Sequence, residues 1–179
     1  IGRRRYRGKV EVERGSGALS RLCAWATRLP SQGRGPLEVE IDSAAHGERW
    51  ARLFAGRAMR SRMWMRESPL CERLGLVTFA FRLDVEPLGA GHAVVWHVAK
   101  VRALFLPLPA RWFDGVTARE YEHDRRYRFD VAARLPWIGL LVHYRGWLDV
   151  DGFQSRRRGH RVRWRVRDLQ RLGTVPASP

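Results

Sequence analysis

The sequence predicts a mainly β fold of the α+β type: one large, strongly twisted antiparallel sheet that curls toward a barrel or half-barrel, with one helix after the first strand. Three observations predict it. Apolar and polar residues alternate with a period of two over most of the 179-residue chain, which is typical of strands with one buried face. Turn signals that contain glycine separate these segments, and one amphipathic helical segment follows the first of them.

The strand pattern is clearest in residues 37–42, 77–86 and 126–133, where apolar side chains alternate with charged or small ones. An arginine and an acid two residues apart recur in two of these segments, as "RLDV" and "RFDV". We expect such residues to form ladders of ion pairs across neighbouring strands, on the face that contacts water.

One helix is predicted from Ser16, a suitable N-cap, to Leu29, where Pro30 ends it. Its apolar stripe should face the sheet, so that the helix acts as a lid or plug. The stripe consists of Leu19, Leu22, Cys23, Ala26 and Leu29, with Trp25 at its edge. A second, shorter helix or turn is expected in "LPARWFDG".

Two stretches of the chain resemble each other: "YRGKVEVERG" from Tyr6 and "YRGWLDVDG" from Tyr144. If both begin long strands, Gly8 and Gly146 mark a sharp bend or a close approach of another backbone, the usual meaning of glycine within a strand. An internal duplication is the less favoured alternative, because the segments between the two copies do not repeat one another.

Length and composition fit a single globular domain with a real core. No apolar run is long enough for a membrane-spanning helix. The opening "IGRRRYR" suggests a segment of a longer protein. The two cysteines, Cys23 and Cys71, favour buried reduced thiols and a cytoplasmic setting. No metal-binding pattern, phosphate-binding loop or nucleophile elbow occurs, so neither a metal nor another cofactor is predicted.

The net charge of +16 raises a further possibility, a nucleic-acid or anionic-membrane binder. Residues 153–179 contain eight arginines and one aspartate, a local charge of eight minus one, or +7. We predict a β-rich domain over residues 1–152 and a basic C-terminal extension over 153–179. Within that extension the alternation predicts a final strand near His160 to Arg167, paired with the second "YRG" strand, and a frayed end from Gly173.

Two segments would suit a ligand cavity. In "MRSRMWM" the methionines share one strand face, where core filling is the commoner role and a pocket wall the alternative. In "LPWIGLLVHYRGWL" both faces are partly covered, as in a central strand buried on both sides. His143 and Arg145 there could meet an anionic head group, or could pair with Asp and Glu of a neighbouring strand. The predicted ligand contacts are Met63, Met65, Trp96, His143, Tyr144, Arg145 and Trp147.

Acidic residues cluster in "AREYEHDRR", where Glu120, Glu122 and Asp124 share one strand face. A solvated strand end leading into a turn explains this cluster better than a catalytic pair does. If the chain is instead an enzyme acting in the same cavity, its polar groups would be Glu120, Tyr121, His143 and Arg145.

Several segments, taken together and in order, resemble one family: "YRGKVEVERG", "LSRLCAWATRLP", "GERWARLFAGRAMRSRMW", "FAFRLDVE", "LFLPLPARW", "AREYEHDRRYRFDV" and "LPWIGLLVHYRGWL". They are similar to the bacterial domain of unknown function four-one-six-six, over roughly Tyr6 to Asp149. The resemblance implies a Rossmann-type or saccharopine-dehydrogenase-like partner domain and brings no established activity or catalytic residues. The leading hypothesis is a noncatalytic accessory domain that holds a hydrophobic or amphipathic small molecule beside such a partner.

Overall fold

The computed structural model of the protein describes residues 2–65, 69–89 and 91–150. They form eleven antiparallel strands, one α-helix and one short 3-10 helix. The strands are β1 (Gly2–Arg14), β2 (Gly33–Ala44), β3 (Gly47–Phe54), β4 (Arg57–Met65), β5 (Leu70–Leu74), β6 (Val77–Leu88), β7 (Gly91–Ala103), β8 (Leu106–Leu108), β9 (Val116–His123), β10 (Arg126–Leu135) and β11 (Gly139–Asp149). The helices are α1 (Ala18–Ala26) and the 3-10 helix Ala110–Phe113.

The sheet closes on itself as a barrel of ten strands. From β1 to β7 each strand pairs with the next, β7 then pairs with β9, and the order continues through β10 and β11 back to β1. The short β8 is attached to the edge of β7, beyond the stretch that pairs with β9. The predicted β fold with one helix after the first strand is therefore confirmed, and the curl completes a closed barrel.

The two ends of the barrel differ. At the helix end lie α1 and the connections formed by residues 15–32, 55–56, 75–76, 104–115 and 136–138. The opposite end contains the start of β1, the end of β11 and the connections formed by residues 45–46 and 124–125. Among the described residues, no helix has the length and apolar character needed to cross a membrane.

The two similar "YRG" stretches are neighbouring strands. β1 pairs with β11 in antiparallel fashion, with Gly8 opposite Leu148 and Gly146 opposite Val10. A Cβ at Gly8 would lie 1.7 Å from the Trp147 carbonyl oxygen, and one at Gly146 would lie 2.2 Å from the Lys9 carbonyl oxygen. The predicted close approach of two backbones is confirmed, and the two stretches meet each other where it occurs.

The inward positions of the strands form two apolar clusters. The larger is built on buried residues of β1 to β4, β10 and β11, among them Val12, Leu37 and Val142. The smaller lies toward the helix end and contains Phe79, Phe81, Val101 and Phe113. Phe113 belongs to the 3-10 helix, so the short helix predicted in "LPARWFDG" is confirmed and contributes to the core.

The helix is shorter than predicted, and its most buried face differs from the predicted stripe. Gly17 rather than Ser16 is its N-cap, and no side chain caps it. Its buried residues are Ser20 and Ala24, whereas Leu19, Leu22 and Trp25 of the predicted core stripe are exposed. The stripe was therefore wrong for these residues, whereas its other members Cys23 and Ala26 are half-buried and Leu29 packs against the core. Close approach decides the most buried face: the Ser20 hydroxyl donates a 2.8 Å hydrogen bond to the Leu140 carbonyl oxygen.

The outer face carries ladders of ion pairs, but not between the residues predicted from "RLDV" and "RFDV". Arg82 pairs with Asp84 of its own segment, and Arg128 pairs with Asp124 just before its segment. The acids Asp84 and Asp130 instead face His97 and His143 of the neighbouring strands. Arg3 binds Glu40 at 2.7 Å across β1 and β2, and Glu11 lies between Arg34 on β2 and Arg145 on β11. The predicted terminal strand near 160–167, the frayed end from Gly173 and the basic extension all lie outside the described residues. In the barrel, β11 is paired with β1 on one edge and with β10 on the other.

Candidate functional site

Polar side chains from six strands meet inside the barrel. Their strands lie on different sides of the barrel wall, so these side chains can approach one another only across its interior. We call them the interior cluster: Arg52 of β3, Glu72 of β5, Trp96 of β7, Glu120 of β9, Tyr127 of β10 and Tyr144 of β11.

An ion pair forms one half of the interior cluster. The guanidinium of Arg52 lies 3.2 Å from a Glu72 carboxylate oxygen and donates a 3.0 Å hydrogen bond to the Ser61 hydroxyl. The side chains of Arg52 and Glu72 are 16% and 9% exposed. Burial acts to lower the pKa of Arg52, but the adjacent Glu72 carboxylate outweighs it and the pKa is raised, so this arginine stays charged.

Glu120 forms the other half of the interior cluster. Burial raises the pKa of its carboxyl group, although the hydrogen bond with Tyr127 and the positive charge of Arg52 act in the opposite direction. Burial, reinforced by Glu120, also raises the pKa of Tyr127 well above its usual value. Burial raises the pKa of Tyr144 to about 12. Both phenols therefore keep their protons near neutral pH and can donate hydrogen bonds.

Trp96 adds a donor that the fold does not use. Its indole N–H acts on the Glu120 carboxyl group. It nevertheless makes no hydrogen bond of standard geometry to any residue that the structure describes, and it is buried. A buried donor without an acceptor costs stability, so Trp96 is suited to bind a group that enters the barrel.

Aromatic rings surround these polar groups. The ring of Phe54 meets Tyr144 edge-on at 5.7 Å, and Phe129 lies 6.1 Å from the same ring. Phe81 meets Trp96 edge-on at 5.4 Å. The interior thus offers aromatic walls together with a small number of convergent polar groups, the combination typical of small-molecule sites.

Most members of the interior cluster are partly exposed rather than fully buried. Arg52, Trp96, Glu120, Tyr127 and Tyr144 all keep some accessible surface, although strands surround them. These residues can therefore be contacted by water, or by a group that takes its place.

A second polar group lines the barrel toward the opposite end. Arg4 donates hydrogen bonds to the Ser43 hydroxyl at 3.0 Å and to Glu48 at 3.1 Å, and the Trp50 indole donates to Glu48 at 2.8 Å. These side chains lie in phase with the inward positions of β1, β2 and β3. Polar lining thus continues from the interior cluster toward the opposite end.

The residues predicted from the sequence as ligand contacts lie on two surfaces. Met63, Trp96 and Tyr144 point into the barrel, and Met65 lies exposed where β4 ends. The others point outward: His143 lies 2.8 Å from Asp130, Arg145 pairs with Glu11, and Arg126 stacks on the Trp147 ring at 4.1 Å. The structure places Trp96 and Tyr144 in the interior cluster and Met63 beside Glu72 on the inner wall, and it separates all three from the outward residues.

The four residues considered for an enzyme do not share one centre. Glu120 lies inside the barrel, while Tyr121, the next residue on β9, and the β11 residues His143 and Arg145 lie on the outer face. The interpretation of Glu120 as part of a solvated strand end was wrong. Glu120 occupies an inward-facing position of β9, so its side chain lies inside the barrel although its neighbours in sequence are charged. Glu122 and Asp124 are exposed, as that interpretation required.

Sequence reasoning missed Arg52, Glu72 and Tyr127 as members of the interior cluster. A signal was present: Arg52 falls in phase with Trp50 and Phe54, where the alternation calls for an apolar residue. A charge in the apolar phase of a strand is a sign of a buried polar group that has a partner.

No cluster of three or more His, Cys, Asp or Glu side chains suited to a metal ion occurs in residues 2–65, 69–89 and 91–150.

Comparison with known proteins identifies a family and no more. The chain has no significant match among curated proteins or solved structures. One family model matches residues 2–148. This range covers all the strands of the barrel except the last residue of β11. The chain belongs to the family described as Domain of unknown function (DUF4166).

Proposed function

We propose that the barrel is a noncatalytic ligand-binding domain that holds a small amphipathic molecule in its interior. The observation that carries the proposal is the convergence of polar side chains from six strands within aromatic walls in the barrel interior. The rings would contact the apolar body of the molecule, and the interior cluster would bind its polar group.

The charges of the interior cluster limit the chemistry of that polar group. Arg52 and Glu72 neutralise each other at 3.2 Å, and the Glu120 carboxyl group would repel a second anion. The phenol of Tyr144 and the indole of Trp96 are donors of fixed position. An uncharged acceptor, such as a carbonyl or hydroxyl oxygen, fits this set better than a phosphate does.

Stability alone does not account for the interior cluster. Buried ion pairs are often no better for stability than apolar residues of similar volume, since both charges lose their hydration. A barrel selected only for stability could fill these positions with apolar side chains. Retention of an ion pair, two phenols and an unused indole donor supports a binding role.

One observation favours a second candidate, acid–base catalysis on the bound molecule. Burial raises the pKa of the Glu120 carboxyl group, and a raised pKa is the change that buried carboxyl groups undergo in acid–base catalysis. Glu120 would then be the proton-transferring group, and Glu120→Gln would abolish turnover while leaving binding in place.

The setting of the domain is also part of the proposal. A Rossmann-type partner domain would bind the cofactor and carry out the reaction, while the barrel holds the small molecule. The half-buried free thiols of Cys23 and Cys71 suit a reducing cytoplasm.

Native mass spectrometry of the full chain purified from cells tests the binding role, with Nile red as an uncharged fluorescent probe of the interior. Tyr144→Phe and Trp96→Phe remove a donor and keep an aromatic ring, so each should weaken binding by roughly two- to tenfold. Trp147→Phe, on the outer face of β11, is the matched control and should bind like the wild type. A protein that carries no adduct and binds no Nile red would contradict the proposal.

A further inference from the structure

Exposed apolar side chains are concentrated at the helix end of the barrel. Eight of the eleven exposed large apolar residues in the described part of the chain belong to it. Phe105 is 93% exposed, Trp137 86% and Trp25 73%. The other five are Leu19, Leu22, Leu76, Leu104 and Leu106. We call these eight residues the apolar tips.

The segments that carry the apolar tips adjoin one another. The Leu76 N–H donates to the Ala26 carbonyl oxygen at 3.1 Å, which joins the β5–β6 turn to α1. The Leu104 N–H donates to the Leu76 carbonyl oxygen at 2.7 Å, which joins the next connection to that turn. Trp112 of the 3-10 helix meets the Trp137 ring at 6.1 Å. The apolar tips therefore form one surface rather than scattered residues, and such surfaces mark interaction sites.

Arginines border this surface. A groove of about 910 Å³ runs between α1, the segment that follows it, β4 and the β5–β6 turn. Its lining contains no Asp or Glu among the described residues, and it holds seven arginines: Arg14, Arg21, Arg28, Arg57, Arg60, Arg62 and Arg73. Asp114 is the acid of the helix-end connections, whereas Glu122, Asp124 and Asp149 are exposed at the opposite end. Arginines and the apolar tips thus occur together at the helix end, where acids are scarce.

We propose that the helix end docks on the surface of a lipid bilayer that contains anionic lipids. Aromatic and leucine side chains would enter the interfacial region, where amphipathic rings are favoured. The arginines would bind lipid phosphates and carboxylates, since each basic residue near an anionic surface adds to the attraction. This role is independent of a ligand in the barrel interior.

Two other occupants fit the surface less well. The basic segment 153–179 carries a charge of +7 and would be repelled by the arginines of the groove. A nucleic acid would pair with the arginines but would leave most of the aliphatic tips in water, because its outer surface is a charged backbone. A bilayer satisfies both features at once.

Cosedimentation of the full chain with vesicles tests this docking. Phosphatidylcholine vesicles with and without phosphatidylserine are compared, and binding should require the anionic lipid and weaken as salt rises. Phe105→Ser and Trp25→Ser should each reduce binding about tenfold, through the loss of buried aromatic area. Arg21→Gln and Arg28→Gln should each reduce it about fivefold. Leu88→Ser and Arg82→Gln, exposed positions away from the helix end, are the matched controls.

The variants separate the possible outcomes. All six positions are exposed, so thermal unfolding should show intact folds. Binding that is weakened to this extent in the tip and arginine variants but kept in both controls supports the docking surface. Binding unchanged by Phe105→Ser and Trp25→Ser would overturn it, because the affinity would then come from another basic segment. Binding to duplex DNA but not to vesicles would overturn it in favour of a nucleic-acid surface.

Discussion

Gly8 and Gly146 determine how closely β1 and β11 can approach. Each faces a carbonyl oxygen of the neighbouring strand at a distance that no Cβ atom tolerates. The approach is needed because β1 and β11 are the first and last strands of the described barrel, and their pairing joins the two ends of the sheet. Single hydrogen atoms at these two positions therefore allow the barrel to close.

Gly8→Ala should destabilise the protein by about 1–3 kcal/mol or more, because the added methyl group would displace the backbone at Trp147. Urea denaturation measures the change in the free energy of unfolding. Gly2→Ala is the control: its Cβ would meet nothing within 4 Å, so the change should stay within about 0.5 kcal/mol. Equal effects of the two substitutions would show that the close contact does not constrain closure.

Glu120 should make stability depend on pH. Burial raises the pKa of its carboxyl group in the folded chain, so the unfolded chain ionises first as the pH rises. Its stabilising contribution is therefore complete below the unfolded pKa of about 4.3 and is lost as the pH rises through the folded pKa. The stability of Glu120→Gln relative to the wild type should increase from acid toward neutral pH. Denaturation across this range measures it, with Glu122→Gln, exposed on the same strand, as the control.

At the scale of the elements, β3 and β5 are joined by a buried ion pair although β4 lies between them. Glu72→Gln would leave the Arg52 charge without its carboxylate in the barrel, which typically costs about 3–5 kcal/mol. Glu40→Gln removes the acid of an exposed ladder on β2 and should cost far less. Measured unfolding free energies of both variants test the contrast; similar losses would show that the Arg52–Glu72 pair is effectively solvated.

The strands could be predicted from the sequence because burial of one face imposes a period of two on each of them. Residues 37–42 and 126–133 show that period without interruption, and both lie in strands. The closure of the barrel could not be predicted in the same way. It depends on pairings between strands that do not follow each other in the chain, β7 with β9 and β1 with β11, and periodicity within a strand carries no information about its partner.

The helix and the interior cluster show why the rest of the prediction fell short. The face of α1 is chosen by the hydrogen bond from Ser20 to Leu140, a contact 120 residues apart in sequence, and not by the hydrophobicity of Leu19 or Leu22. Glu120 was assigned to solvent because its sequence neighbours are charged. Its actual surroundings come from other strands, whose positions the sequence does not specify.

At the scale of the whole molecule, the barrel separates three environments. Its outer wall carries ladders of arginine and glutamate, its interior holds polar groups within aromatic walls, and its helix end combines arginines with the apolar tips. The outer ladders balance much of their own charge, so the net positive charge is felt mainly where acids are scarce. That distribution makes the helix end, rather than the barrel wall, the surface on which anionic partners should act.

Removal of residues 153–179 should leave the barrel folded. Residues 2–149 already close the ring of ten strands, and β11, from which the chain continues, is paired on both edges. The deleted segment contributes +7 of the +16 net charge, so its loss also reduces self-repulsion. A chain that ends at residue 152 should therefore keep its free energy of unfolding within about 1 kcal/mol. The slope of that free energy against urea concentration should also stay unchanged, because the slope follows the surface exposed on unfolding. Urea denaturation of the full and shortened chains measures both quantities. A loss of several kcal/mol together with a smaller denaturant dependence would show that the basic segment packs on the barrel, and the domain boundary at residue 152 would have to move.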